Sequence, residues 1–227
     1  MTKAMNAFYR FLEEPLFPWA RVALVLLTLL VVASFTAPMW HIRMVAPQYP
    51  EGLDLFIYSY KVDGGHDGAD IQEISTLNHY IGMRPLDRSE LTDLDWIPFL
   101  FAGMIILSLR TAVIGGVSAL VDLLVLTTYA GIFGFGRLYY KLYTFGHDLD
   151  PRAPITVEPF TPVMWGQKQI ANFFTEANPS AGTYYVAAFA AGLVVLLVAH
   201  LAVGRRRYQE TADVGARVSA ARQPDPG

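Results

Sequence analysis

The stretch Trp96–Phe135 reads WIPFLFAGMIILSLRTAVIGGVSALVDLLVLTTYAGIFGF and is the longest apolar run of the chain. It is long enough for two helices of about 20 residues each, the length that crosses the hydrocarbon core of a bilayer. The glycine pair Gly115-Gly116 divides the run into two segments of similar length, 96–114 and 117–135. The stretch therefore predicts two antiparallel transmembrane helices joined by a tight turn.

Two charged residues, Arg110 and Asp122, interrupt this apolar run. They lie at similar distances from the glycine turn, one on each predicted helix. An acidic side chain inside a membrane is costly unless it has a partner, so we expect a structural ion pair between Arg110 and Asp122. The alternative is that Asp122 serves as a carboxylate in a proton relay.

Two further apolar segments, 21–38 and 183–204, bring the number of predicted transmembrane helices to four. The first could be mistaken for a signal peptide, but Pro38 directly follows the small residue at the possible cleavage point, so we expect an uncleaved anchor. Of the 227 residues 53% are hydrophobic, which is typical of polytopic membrane proteins. The predicted fold class is a mainly α membrane protein with four transmembrane helices and a mixed α/β cap.

Basic residues indicate the orientation of the four helices. Arg205-Arg206-Arg207 directly follow the last apolar segment, the N-terminal tail has three basic residues, and Arg110 lies near the glycine turn on the same side. By the positive-inside rule we expect both termini to be cytoplasmic. In a Gram-negative bacterium this would be an inner-membrane protein. Residues 1–20 are expected to form an amphipathic tail on the membrane surface, and the polar tail 205–227 is expected to be disordered.

Residues 39–95 form the first of two long polar segments, which this orientation assigns to the periplasm. Alternating apolar residues over 39–45 and 53–62 predict a β-hairpin. Apolar residues at helical spacing over 70–83 predict a helix, which ends before a proline. We therefore expect a small folded unit outside the membrane.

Residues 136–182 form the second polar segment. Its first residues are expected to continue the preceding helix, with aromatic side chains at the membrane interface. A Pro-rich loop follows, and 167–174 are expected to form a short helix before the last apolar segment. The two polar segments together would build the mixed α/β cap.

Composition excludes several classes of function. The chain has no cysteine, which excludes disulfides, zinc–thiolate sites, iron–sulfur clusters and thiol catalysis. The net charge of −3 gives no indication of nucleic-acid binding. No catalytic motif with a known mechanism is present, and transport usually requires more than four spans.

His79 and Met83 are the strongest candidates for metal ligands. They lie four residues apart, which places them on one face of a helix. Imidazole and thioether are ligands that suit copper, and His147, which precedes Asp148, could complete the site if the two polar segments meet. The alternative for each histidine is a structural hydrogen bond. His41 and His66 remain outside this proposed site, and His66 is expected to be solvated.

Four segments also resemble a known family. They are Ala46–Leu53 (APQYPEGL), Leu77–Met83 (LNHYIGM), and the region from Leu149–Ile155 (LDPRAPI) to Gln169–Phe173 (QIANF). The chain resembles small bacterial inner-membrane proteins whose genes often lie beside those for nitrous oxide reductase maturation and its copper chaperone. The resemblance covers most of 38–175 and implies copper delivery to, or assembly of, a periplasmic copper enzyme. The family motifs include the positions of His79, Met83 and His147.

The leading hypothesis is therefore a non-catalytic inner-membrane protein that handles copper. A second hypothesis is a structural or assembly subunit that binds no metal and contacts a membrane or periplasmic protein through Phe160 and Trp165. A third is a membrane enzyme acting on lipid, which would require Glu73, His79 and Asp148 or Asp150 to converge at the bilayer surface.

Overall fold

The computed structural model describes the backbone of residues 11–87, 89–170 and 172–221, and side chains throughout these ranges except at 170 and 204–221. The first ten residues of the expected amphipathic tail at 1–20 lie outside the described residues. The described residues form five helices of 12 or more residues and one five-stranded sheet. The helices are α1 (Pro18–Ala33), α2 (Ala69–Tyr80), α3 (Asp93–Ile114), α4 (Val117–His147) and α5 (Ala181–Ala221).

Among the described residues, three helices are long and apolar enough to cross a membrane: α3, α4 and the Ala181–Val203 part of α5. The structure differs from the prediction at the fourth span, 21–38, because α1 ends at Ala33. Its 16 residues extend about 24 Å, which is short of the roughly 30 Å hydrocarbon core.

Helix α1 is nevertheless part of the bundle, where it packs between α3 and α5 while α4 closes the ring. Leu24 of α1, Leu120 of α4 and Leu193 of α5 are completely or almost completely buried together in the bundle core. Thr28 and Ser108 are buried as well, and their hydroxyl oxygens lie 2.6 Å apart in a hydrogen bond between α1 and α3. The four helices thus share one core.

The predicted turn between α3 and α4 is present at Gly115-Gly116. Gly115 adopts a φ of +69°, a left-handed conformation that favours glycine. The segment before α1 holds the turn in place, since Leu16 N–H donates to the Gly115 carbonyl at 2.7 Å and Val117 N–H donates to the Glu14 carbonyl at 3.0 Å.

Both polar segments contribute strands to one antiparallel sheet. The strands are β1 (Trp40–Ala46), β2 (Tyr49–Ile57), β3 (Val62–Gly64), β4 (Gly166–Ile170) and β5 (Phe173–Pro179), in the order β3-β2-β1-β5-β4. The predicted hairpin corresponds to β1 and β2. The helix expected over 167–174 is wrong, because those residues form parts of β4 and β5. Pairing of β5 with β1, in which Ala177 lies opposite Ile42, stabilises the extended conformation.

Helix α4 continues past 135 to His147, as expected for the first residues of the second polar segment. The predicted end of the last helix is corrected, because α5 continues past 204 to Ala221. The segment 205–221 is thus helical rather than disordered, consistent with its content of alanine, arginine, glutamate and glutamine, which favour helices.

Candidate functional site

The two polar segments meet at a junction between residues 80–84 and 148–155. Asp150 N–H donates to the Gly82 carbonyl at 2.8 Å, and Ile155 N–H donates to the Tyr80 carbonyl at 3.0 Å. The Arg84 guanidinium donates to the carboxylates of Asp148 and Glu90, and both contacts raise the pKa of Arg84. We refer to these contacts as the cap junction.

Gly82 is required at the cap junction for two reasons. Its φ of +80° is left-handed, and a Cβ atom there would lie 2.8 Å from the Asp150 carbonyl oxygen. Gly82 N–H donates to the His79 carbonyl and Met83 N–H to the Asn78 carbonyl, which is the Schellman arrangement that ends a helix. Helix α2 therefore ends at Tyr80, and the prediction of one helix over 70–83 is wrong at its C-terminal end.

This helix end separates the predicted ligands His79 and Met83. His79 lies in the last turn of α2 with an exposed side chain. Met83 follows the glycine and lines an apolar cavity with Leu77 and Phe145. The prediction that the two side chains share one helix face fails because Gly82 reverses the chain between them.

His147 is the last residue of α4. Its Nδ1 lies 2.9 Å from the Tyr143 carbonyl oxygen, and its ring stacks on Tyr143 at a centroid distance of 3.8 Å. A carbonyl oxygen only accepts, so Nδ1 carries the proton and Nε2 of the neutral ring keeps its lone pair. Among the described residues no group forms a hydrogen bond with that Nε2, so it is free to bind a metal ion.

The described residues contain no group of three histidine, aspartate or glutamate side chains placed to hold a metal ion together. The cap junction thus brings the segments of His79 and His147 together without assembling a closed site. Two of the carboxylates that the lipid-acting enzyme would require have other partners. Glu73 is bonded instead to the Tyr49 hydroxyl, which raises the pKa of Tyr49, and Asp148 to Arg84.

The predicted ion pair between Arg110 and Asp122 is not formed. Both side chains are exposed, and the structure of the described residues places no salt bridge between them. Asp93 and Arg137 form the interhelical pair instead, with Arg137 Nε and Nη2 donating to the two carboxylate oxygens at 2.9 and 3.1 Å. The Asp93 side chain is 15% exposed, and Trp96 Nε1 also donates to it at 3.0 Å.

The two predicted partner-binding residues differ in exposure. Trp165 is 67% exposed and precedes the edge strand β4. Phe160 is only partly exposed: its side chain lines the cavity beside Met83, and its N–H donates to the Gly146 carbonyl at 2.9 Å. Phe160 therefore connects the Pro-rich loop to α4, and the exposed surface is centred on Trp165.

A polar network that the sequence analysis missed includes His41 and His66. His66 Nδ1 lies 2.7 Å from the buried carboxylate of Asp70, whose other oxygen accepts the Asp54 N–H at 2.7 Å. The Asp54 carboxylate lies in turn 2.7 Å from His41 Nε2. The hydrogen bond to Asp70 raises the pKa of His66, so His66 is anchored rather than simply solvated. Its four-residue spacing from Asp70 was the available signal.

The backbone around His66 is unusual. His66 and Asp67 have φ values of +47° and +55°, which non-glycine residues rarely adopt. This conformation directs the His66 ring onto Asp70 while 62% of the side chain remains exposed. The surrounding contacts offset the strain.

Comparison with known proteins gave no further indication of function. No family model, no curated protein and no solved structure matches this chain.

Proposed function

We propose that this chain is a membrane-anchored, non-catalytic protein that handles copper at the outer face of a bacterial inner membrane. It would take part in the assembly of a periplasmic copper enzyme of the nitrous oxide reductase type. The observation that carries the proposal is the cap junction, which ties the segments of His79 and His147 together while both imidazoles stay accessible. The family resemblance of these segments adds support.

The proposal includes the topology. Helix α1 would act as a fourth, short span, and both termini would lie in the cytoplasm. The burial of Leu24 and Val31 of α1 in the common core supports this arrangement, because a helix that packs against the same core residues lies at the same depth in the membrane.

Because the sequence has no cysteine, single cysteines introduced at chosen positions can test the topology. Arg152→Cys lies at the cap, and Ser118→Cys lies beside the glycine turn. An impermeant maleimide added to spheroplasts should label the first variant and not the second. Labelling of the second alone would overturn the proposed orientation.

The arrangement of the candidate ligands favours transient transfer of copper over its storage. Two accessible imidazoles can take copper from a donor, and the thioether of Met83 would add a soft ligand after a local rearrangement of the turn. An open set of two or three ligands can release the ion to an acceptor more readily than a closed site.

Copper binding tests this function directly. Purified wild-type protein should bind Cu(I), whereas His79→Ala and His147→Ala should each lower the amount bound. His66→Ala is the matched control, since it also removes an exposed imidazole but lies outside the cap junction. Equal stoichiometry in wild type, His79→Ala and His147→Ala would refute copper handling at this site.

A second function, partner binding without metal, is favoured by one observation: Trp165 is exposed beside an edge strand. Edge strands present unpaired backbone groups to which another chain can add. Trp165→Ala should then abolish co-purification of a membrane or periplasmic partner while copper binding stays unchanged. Retention of the partner by that variant would count against this surface.

A further inference from the structure

Two apolar cavities lie between the cap and the outer end of the bundle. The first, of about 100 Å³, lies between the sheet, α2 and the Pro-rich loop. The second, of about 170 Å³, lies between the sheet and the ends of α3 and α4. Ile42, Leu55, Leu86, Leu142 and Phe145 line both cavities, so they are neighbours separated only by side chains.

Their lining determines what can occupy them. Almost all of it is carbon, and an apolar cavity of about 150 Å³ stays dry yet binds a small hydrocarbon. Neither water nor a polar metabolite would be stabilised there, because few polar groups are present to accept its hydrogen bonds. A hydrocarbon chain matches both the size and the chemistry.

The second cavity also has charged residues in its wall. Asp93 and Arg137 neutralise each other through their paired hydrogen bonds. Lys141 lies one turn above Arg137 and has no carboxylate within salt-bridge distance among the described residues; its Nζ lies 5.9 Å from the ring centre of Phe145. The wall therefore carries one uncompensated positive charge.

The depth of this cavity in the membrane follows from α3. The apolar span of α3 begins at Asp93, so Asp93 and its partner Arg137 mark the edge of the hydrocarbon core on the cap side. Trp96 donates to Asp93, and the Tyr140 ring centre lies 5.6 Å from the Arg137 guanidinium; aromatic residues are common at membrane interfaces. Lys141 is then at the level of the lipid headgroups.

We propose that these cavities hold an acyl chain of an anionic phospholipid from the leaflet on the cap side, with its phosphate beside Lys141. The chain would lie between the bundle and the cap. A single lipid would thereby link the two parts of the protein.

Gly134 offers a way to close the second cavity. It lines the cavity, and a Cβ atom added to it would meet nothing within 4 Å. Gly134→Leu therefore fills the space with little steric conflict. Gly131→Leu is the matched control, because Gly131 lies in the same helix, has equally open surroundings and does not line either cavity.

The test uses the full chain reconstituted in phosphatidylcholine vesicles with and without phosphatidylglycerol. Native mass spectrometry after extraction counts the lipids retained by each molecule. Wild type and Gly131→Leu should retain phosphatidylglycerol in preference to phosphatidylcholine, whereas Gly134→Leu should retain neither. Lys141→Gln should lower the preference for phosphatidylglycerol about fivefold, the effect of one lysine near an anionic surface; Arg152→Gln, at the cap surface, should not.

Three outcomes would overturn the proposal: equal retention of both lipids by wild type, full retention by Gly134→Leu, or an equal loss in Gly131→Leu. Lys141→Gln keeps the test decisive if Gly134→Leu does not fold. An unchanged preference in Lys141→Gln would refute the headgroup contact.

Discussion

His200 and His147 have the same local geometry at opposite ends of the bundle. In each, Nδ1 donates to the carbonyl four residues earlier, at 2.8 Å to Leu196 and at 2.9 Å to Tyr143. Each ring also stacks on an aromatic ring, that of Phe17 or Tyr143. The difference lies at Nε2, which in His200 accepts the Phe17 N–H at 3.2 Å. His200 is 1% exposed and both of its ring nitrogens are hydrogen-bonded, whereas Nε2 of His147 has no hydrogen-bond partner among the described residues.

The comparison shows that sequence spacing predicts the contact of only one of the two ring nitrogens of a histidine. The bond at Nδ1 follows from the helix, since residues four apart share a face. The contact at Nε2 depends on a segment more than 180 residues away, and only tertiary structure supplies it. A structural and an available histidine can therefore look identical in sequence.

Replacing His200 should produce the largest effect. His200→Ala removes the imidazole that accepts the partly buried Phe17 N–H and opens a cavity, which together should cost about 3 kcal/mol. His147→Ala should cost less than about 1 kcal/mol, because a half-exposed ring is lost without burying an unsatisfied group. Unfolding in mixed micelles measures both. Similar losses in the two variants would show that the histidines do not differ as described.

Gly82→Ala should weaken the cap junction next to His79. A left-handed φ and the nearby Asp150 carbonyl both oppose a Cβ atom, so we expect a loss of about 2 kcal/mol. Hydrogen exchange should increase at the Asp150 and Ile155 amides while the bundle core around His200 stays protected. Gly68→Ala is a useful control, since its φ is also positive but its Cβ would meet nothing within 4 Å; increased exchange at the same amides in that variant would contradict the specific role of Gly82.

Two sets of charged residues in α3 and α4 can be compared in the same way. Asp93 and Arg137, like Arg110 and Asp122, lie at nearly equal distances from the glycine turn, yet only the first two are paired. Asp93→Asn should cost about 1–2 kcal/mol because Arg137 loses its partner in a partly buried site. Asp122→Asn should change stability by less than about 0.5 kcal/mol, as for an exposed group. Equal effects of Asp93→Asn and Asp122→Asn on the free energy of unfolding would argue against a stabilising pair at Asp93 and an unpaired Asp122.

These cases show what the sequence could predict. Apolar length and the glycine pair predicted α3, α4 and their turn, because both depend on local composition. Asp93 and Arg137 also lie at nearly equal distances from the glycine turn, so the spacing that predicted a pair between Arg110 and Asp122 applies equally to them. The strands over 167–174 and the surroundings of His147 Nε2 could not be predicted, since each depends on contacts between distant segments.

A third histidine, His66, differs from the other two in its partner, because its Nδ1 is hydrogen-bonded to the Asp70 carboxylate rather than to a backbone carbonyl. The hydrogen bond to Asp70, with the nearby charges of Glu51 and Asp54, raises the pKa of His66 in the folded state. The resulting stabilisation is fully present below the unfolded-state pKa of about 6.5 and is lost as the pH rises through the raised folded-state pKa. We therefore expect the stability of the wild type to fall over this window, by less than in the preceding substitutions because the ring is exposed. His66→Gln and Asp70→Asn should both remove that dependence in unfolding measured across pH. If His66→Gln kept the wild-type slope, another group would be responsible for the pH dependence of stability.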